Sequence, residues 1–238
     1  MAETFVIKQG PRAKLGPVIT RSVELMRDGK VLVIPLENGY VFLCDAFNHA
    51  AVQRIHILRG DEGGVACQVL VGSAAVAAGI TIDFDSLAKS FAEKFWPGLL
   101  TLNLPVQRGI TWNLGDDRSL DLVSVRVPSN KFALELVKSY GPLAIGSAAR
   151  IGMPPTRETL FVPALDSDIG ATIDFGELPV GAPTTVLTIA NGAVKVDRIG
   201  AISLKELKSV NKNIVITPYA FAYAYPRQLQ LRIFWPRF

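Results

Sequence analysis

Residues 123–149 read VSVRVPSNKFALELVKSYGPLAIGSAA, and this stretch sets the expectation for the fold. Val123 to Val127 alternates as a half-buried strand does, and Ser129 stands where a cap would open the helix NKFALELVKSY. The apolar run after Gly141 is short enough to be a second, buried strand. Strand, helix and strand in succession form one layered α/β unit. The second strand ends on Gly146, Ser147, Ala148 and Ala149, followed by Arg150 and two prolines. Small residues there leave backbone N–H groups and one hydroxyl accessible, the usual equipment for gripping an anion. A tight turn with no ligand is the alternative reading.

The same alternation extends in both directions. Lys30 to Leu36 reads as a buried strand and Ala46 to Leu58 as a helix, with Ala50, Val52 and Ile55 at helical spacings. Gly64 to Gly72 is a strand. Asp85 caps a helix to Phe95 that puts Leu87, Phe91 and Phe95 on one stripe, and TLNLPV follows as a strand. PTRETLFVPAL is expected to be helical, whereas IGATID, TTVLTI and AVKVDRIG are expected to be strands. Ser203 and Glu206 have the spacing of a capping box. The expectation is therefore an α/β fold, a single domain over residues 10–205 with a twisted mixed β-sheet flanked by helices, followed by a basic, aromatic extension at 206–238.

With 238 residues, 49% hydrophobic and 19% charged, the chain is long enough for a sizeable core. No apolar run approaches the roughly 18 residues that span a bilayer, and MAETFVIKQGPRAKLG has no apolar secretion region, so a cytoplasmic protein with no membrane partner is expected. Cys44 and Cys67 lack metal-ligand spacing and read as buried free thiols. His49 and His56 share roughly one helix face, but no carboxylate at a matching spacing completes a metal site. Residues 205–238 hold six Lys/Arg against Glu206. An anionic partner such as RNA and a merely solvated edge both explain that charge. In the tail, Tyr219, Phe221, Tyr223 and Tyr225 alternate with alanine, and Leu229, Leu231 and Ile233 alternate with polar residues. Two strands broken at Pro226 are expected, for packing or for stacking on RNA bases.

Six segments then fall in a recognisable order: DGKVLVIPLENGYVFLCDA, AVQRIHILRGDEG, FWPGLLTLNL, SVRVPSNKFALELVKSYGPLAIGSA, GAPTTV and VDRIGAIS. Together they resemble the YrdC-like family of L-threonylcarbamoyl-adenylate synthases. The resemblance implies a concave, positively lined cavity. It also implies a reaction in which L-threonine, bicarbonate and ATP, with Mg²⁺ bound through ATP, give threonylcarbamoyl-AMP and pyrophosphate for t6A at position 37 of certain tRNAs. Such a nucleotidyl transfer needs cations and N–H donors around the triphosphate and groups that position the amino acid.

Against the family's motifs the chain both keeps and loses residues. The family's PT(E/D)TVYGL becomes Pro35, Leu36, Glu37, Asn38, Gly39, Tyr40, Val41, Phe42, so both threonines are replaced while the proline and tyrosine remain. Its KxR pattern falls on Arg59 and Asp61, keeping one cation and inverting the other. Its SxN falls on Ser147 and Ala149, keeping the hydroxyl and losing the amide. Trp96, Pro97, Gly98, Thr101, Arg126 and Arg198 match, and Thr184, Thr185 and Val186 replace the family's STV turn conservatively.

The resemblance thus assigns Arg59, Arg126, Ser147, Thr184, Thr185 and Arg198 to the nucleotide, with Arg59 and Ser147 nearest the chemistry, and Arg150, next to the vacant Asn position, is a further candidate for the nucleotide. Pro35, Tyr40 and Thr101 fall to the other substrate. A carboxylate at 61, about 5 Å from a phosphate, would oppose ATP by several kcal/mol. The escapes are Mg²⁺ recruited by Asp61 and Glu62, Arg150 turned inward, or a slipped alignment with Arg59 as the family's arginine. On the simplest view, Ala149→Asn with Asp61→Arg repairs a damaged phosphate grip. Two functions follow: a synthase with a diverged site, or a catalytically degenerate paralogue that holds RNA or a nucleotide without turnover.

Overall fold

A computed structural model describes residues 2–7, 15–82, 84–117, 121–164, 167–218 and 220. The opening stretch forms β6 (Leu122–Arg126), α5 (Lys131–Tyr140) and β7 (Leu143–Ser147). Before them come β1 (Glu3–Val6), α1 (Gly16–Arg27), β2 (Leu32–Pro35), β3 (Tyr40–Asp45), α2 (His49–Arg59), β4 (Gln68–Leu70), α3 (Ala74–Ile80), α4 (Ser86–Phe95) and β5 (Leu100–Pro105). After them come β8 (Ala171–Asp174), β9 (Thr185–Ala190), β10 (Ala193–Arg198), α6 (Leu204–Lys208) and β11 (Ile214–Ile216). The strands form one mixed sheet in the order β1-β8-β2-β3-β7-β4-β6-β5-β9-β10-β11.

Alternation along the strands sorts the core into two faces. Tyr40, Phe42 and Cys44 of β3 pack with Val52 and Ile55 of α2, whereas Val41 and Leu43 pack with Met26 of α1 and Phe132 and Leu136 of α5. Helices therefore cover both faces of this half of the sheet. On β5, Leu100, Leu102 and Leu104 join Phe91 of α4 in the first core. Thr101 and Asn103 point to the other face, where Gln68 donates to Thr101 Oγ1 at 2.7 Å and Ser124 to Asn103 Oδ1 at 2.6 Å. Fully buried Phe91 and Phe132 contribute roughly 1.5–3 kcal/mol each.

Four local expectations change. The cap of α5 is Asn130, whose Oδ1 accepts from Ala133 N at 3.1 Å, because the Ser129 hydroxyl instead donates to Glu37 at 2.9 Å. Helix α2 begins only at His49, since Asn48 accepts from Ala51 N and stops the chain turning earlier. Between Gly64 and Gly72 only Gln68–Leu70 is strand. The expected helix PTRETLFVPAL is not formed over its described residues, 155–164, which hold one 3₁₀ turn, Thr159–Phe161. Thr156 Oγ1 donates to Ala148 O at 2.8 Å and Arg157 Nε to Leu178 O at 2.7 Å, pinning the segment extended, while Leu160 and Phe161 face outward. The expected Asp85 cap and the Ser203/Glu206 capping box are both present.

β11 adds to the sheet parallel to β10, so the start of the 206–238 extension is part of the sheet. Tyr219, Phe221, Tyr223, Tyr225, Pro226, Leu229, Leu231 and Ile233 lie outside the described residues. No helix among the described residues is long and apolar enough to cross a membrane.

Candidate active site

The short turn at residues 36–39 between β2 and β3 is the hub of the site. Leu36 N donates to Gly39 O at 3.0 Å, which closes the turn, and Leu36 itself is buried in the second core. Glu37 reaches Arg126 and accepts from the backbone N and Oγ of Ser129 at 2.7 and 2.9 Å. Burial raises the Glu37 pKa, but the Arg126 charge and the hydrogen bonds outweigh it, so the carboxyl titrates below its usual range. Arg126 Nε also donates to Gly98 O at 2.8 Å, which makes this buried guanidinium a clamp between the turn, β6 and the Trp96–Gly98 corner. Asn38 Nδ2 donates to Ala182 O at 2.6 Å and ties the hub to the turn before β9.

Pro35 and Tyr40 close the same hairpin as cross-strand partners. Tyr40 is fully buried: its hydroxyl donates to Gly176 O at 2.7 Å and accepts from Phe175 N at 2.9 Å. Burial, with Asp174 nearby, pushes the phenol pKa well up, so it stays neutral. Tyr40 O accepts from Ala148 N and Tyr40 N donates to Thr156 O, which folds the segment after β7 back over the hub.

That segment bounds a cavity of about 440 Å³ lined by Ala149, Arg150, Met153, Pro155, Arg157 and Phe161 among others. Arg150 is exposed, and its guanidinium makes no hydrogen bond or ion pair among the described residues.

Arg59, at the end of α2, donates from Nη1 to Ser147 O at 2.8 Å, and its carbonyl accepts from Ile151 N at 2.9 Å. Gly146 lets it approach, because a Cβ there would lie 2.7 Å from Arg59 Cδ. Gly60, at φ +68°, then turns the chain back so that Asp61 N meets His56 O at 3.0 Å. The Asp61 carboxylate is consequently enclosed: Oδ2 accepts from Arg59 Nε at 2.7 Å and from His56 Nδ1 at 2.9 Å, and its side chain is 1% exposed.

Burial opposes ionisation of Asp61, yet the hydrogen bonds from His56 and Arg59 hold its pKa below the usual carboxylate range. The Asp61 hydrogen bond, with further help from Cys67 and Leu114 O, lifts His56 to about 10 against the penalty of burial. His56 is therefore an imidazolium that donates from both nitrogens, with Nε2 2.9 Å from Leu114 O. Two cations enclose one anion, and the group carries one net positive charge. The fear that Asp61 faces the phosphates is corrected: it faces Arg59 and His56. Asp61→Arg would replace the shared acceptor of Arg59 and His56 with a further cation, so it is not a repair. Nor does Asp61 stand open to recruit a metal ion.

At the other side of the hub, Arg198 donates from Nε to Thr184 O at 2.8 Å and from Nη2 to Thr184 Oγ1 at 2.6 Å. Gly200 is required beside them, since a Cβ would lie 2.2 Å from Pro183 O. Thr185 is fully buried, its hydroxyl accepting from Gly200 N and Ile202 N and donating to Ile202 O, all at 3.0 Å. Thr101 is buried too and receives the Gln68 amide. The structure thus gathers Arg59, Ser147, Ala149 and Arg150 on one side of the hub and Thr184 and Arg198 on the other. Pro35, Tyr40, Thr101, Arg126 and Thr185 serve in the framework between. His56, Glu37 and Gln68 escaped the sequence reading of the site. His56 was detectable only through the Gly60 turn that brings Asp61 back to it.

The fold and site define a mixed-sheet α/β protein with an Arg-bearing cavity beside a strand ending in Gly-Ser, and the comparisons narrow it. The Sua5/YciO/YrdC family model, described as "Telomere recombination", matches residues 24–200, and the chain belongs to that family. A Mycobacterium tuberculosis protein is 28% identical over 211 residues, 88% of this chain and 95% of its own length. The threonylcarbamoyl-AMP synthase of Pyrococcus abyssi is 31% identical over 202 residues, 82% of this chain and 58% of that protein. The crystal structure of Pyrococcus abyssi Sua5 complexed with L-threonine superposes with a TM-score of 0.81 at 26% identity, covering 94% of this chain and 66% of that one. Escherichia coli YciO gives 0.75 at 24% identity, over 87% and 100%.

Proposed function

We propose that the chain is a threonylcarbamoyl-AMP synthase that serves tRNA t6A modification in the cytoplasm, with ATP as its Mg²⁺ complex, L-threonine and bicarbonate as substrates. Threonine nitrogen and bicarbonate form a carbamate with loss of water. A carbamate oxygen then attacks the α-phosphorus, and pyrophosphate leaves with the bond electrons. The observation that carries the reading is the enclosure of Asp61 by Arg59 and His56. It preserves a net cation beside Ser147 although the family's second basic residue is inverted.

In this reading Ser147, Arg59 and Arg150 serve the phosphates from one side, and Thr184 and Arg198 from the other. Of these, Arg59 and Arg198 are fixed before the substrate arrives and stabilise the charge that develops on pyrophosphate. Thr185, Arg126 and Tyr40 hold the turns that carry these groups, and Pro35 and Thr101 bound the amino-acid side. The test is pyrophosphate release from MgATP by the purified chain. Release that requires both L-threonine and bicarbonate supports the proposal, and its absence overturns it.

One observation favours the second reading, a nucleotide- or RNA-binding paralogue without turnover. Leu36 is buried and Asn38 is bound to Ala182 O, so neither lost threonine hydroxyl is replaced by an available one. That reading predicts ATP binding with no pyrophosphate.

A further inference from the structure

A second cleft lies at the far end of β3. Val41 pairs with Ser147 and Asp45 with Leu143, so four residues, ~13 Å of strand, separate the cleft from Ser147. Its volume is about 330 Å³, and Arg27 from the end of α1, Asp45, Phe47, Tyr140 from the end of α5 and Pro142 line it. None of these residues has a part in the proposed synthase chemistry.

The groups in the cleft are chemically specific. Asp45 Oδ2 accepts from the Tyr140 hydroxyl at 2.9 Å and Oδ1 from Phe47 N at 2.9 Å, which fixes the carboxylate while leaving each oxygen a further lone pair. Burial first, then Asp45, pushes the Tyr140 phenol up to about 12, and Arg27 lies near enough to pull against that rise. Arg27 is exposed and makes no hydrogen bond or ion pair among the described residues. The Phe47 ring is held against Trp112, centroids 5.5 Å apart and tilted by 39°, yet the residue is 52% exposed. A supported but uncovered ring, a fixed acceptor pair and an uncommitted guanidinium suit a flat ring with adjacent N–H donors and a negative group.

Among nucleobases only guanine meets a carboxylate with two adjacent donors, N1–H and the N2 amine. Adenine and cytosine set a lone pair beside their amine, and uracil flanks its single N–H with two carbonyls. Stacking on an aromatic ring combined with hydrogen bonds to the base edge is the usual way to read an unpaired base. We infer that the cleft of Arg27, Asp45, Phe47 and Tyr140 binds a guanine nucleotide, with the base on Phe47, its N1–H and N2 amine donating to Asp45, and its phosphate on Arg27. The nucleotide is either free or an unpaired guanosine of RNA. The inference does not rest on the proposed synthase activity.

Calorimetric titration of the full chain with GMP, AMP, guanosine and a single-stranded RNA trimer of guanosines tests it, with ATP saturating the other site. GMP is expected to bind at least tenfold more tightly than AMP. Phe47→Ala, at an exposed position, should weaken GMP at least tenfold without changing ATP binding. Arg27→Gln should reduce GMP to the affinity of guanosine, and Asp45→Asn should remove the preference over AMP. An RNA trimer that binds tenfold better than GMP and fails in the same variants identifies RNA as the source; a trimer no better than GMP identifies the free nucleotide. Equal binding of GMP and AMP, no binding at millimolar GMP, or GMP affinity unchanged by Phe47→Ala overturns the inference.

Discussion

Arg59 and Arg198 both match cations of the family pattern, yet they are held in different ways. Arg198 donates to the carbonyl and hydroxyl of Thr184. Arg59 is fixed through a carboxylate, and that carboxylate stands where the family has a second basic residue. In the proposed reading, inverting a charge beside an anionic substrate would ordinarily weaken its binding. Here the inversion is balanced by His56, whose raised pKa returns the missing positive charge to the group. The comparison shows that a charge reversal has to be judged by what the carboxylate faces once Gly60 has turned the chain.

The largest effect is expected at Asp61. Asp61→Ala removes the acceptor that holds both Arg59 and His56, and removing one partner of a buried pair costs about 3–5 kcal/mol. Urea denaturation should show that loss for Asp61→Ala, and Asp61→Arg should be at least as unstable. Next, Arg198→Ala should weaken ATP ten- to a hundredfold by calorimetry, since hydrogen bonds to charged groups contribute about 1.5–3 kcal/mol, and should lower the melting temperature as the bonds to Thr184 are lost.

His56→Gln acts on the same pair through pH. The His56 pKa is raised on folding, so its stabilisation is full below about 6.5 and lost as pH rises through about 10. Asp61 acts oppositely: its pKa is lowered from 3.8, so its contribution is lost as the medium becomes acidic below that value. The gap in melting temperature between the wild type and His56→Gln should therefore be widest near pH 6 and shrink by pH 10. The smallest effect is expected for Asn38→Ala, which removes one hydrogen bond to Ala182 O and should cost about 1 kcal/mol.

The α/β alternation was legible because several of its elements carry clear periodicity or caps, as α4 does with Asp85 and the stripe of Leu87, Phe91 and Phe95. Helices α1 and α3 and strands β1, β3 and β11 were not read from local pattern. α3 is a short run of small residues, and β1 and β11 are short strands, at the two ends of the sheet order. PTRETLFVPAL misled because its composition suits a helix, while tertiary bonds from Thr156 and Arg157 hold it extended.

At the site, Arg59, Ser147, Thr184 and Arg198 were readable by their motifs. The fate of Asp61 was not, because it depends on a left-handed turn at Gly60 and on His56, five residues earlier in sequence and one turn back in space. Arg126 likewise could be named but not interpreted: its carboxylate partner, Glu37, is 89 residues away.

The central claim is that Asp61 is neutralised within the fold and does not repel the nucleotide. The direct measurement is the ATP affinity of Asp61→Asn against the wild type, by calorimetry with Mg²⁺ present. The account predicts an affinity unchanged within about threefold, or weakened, as Arg59 loses its anchor, together with a lower melting temperature. A gain of a hundredfold or more, the size a phosphate-facing carboxylate implies at about 3 kcal/mol, would contradict it.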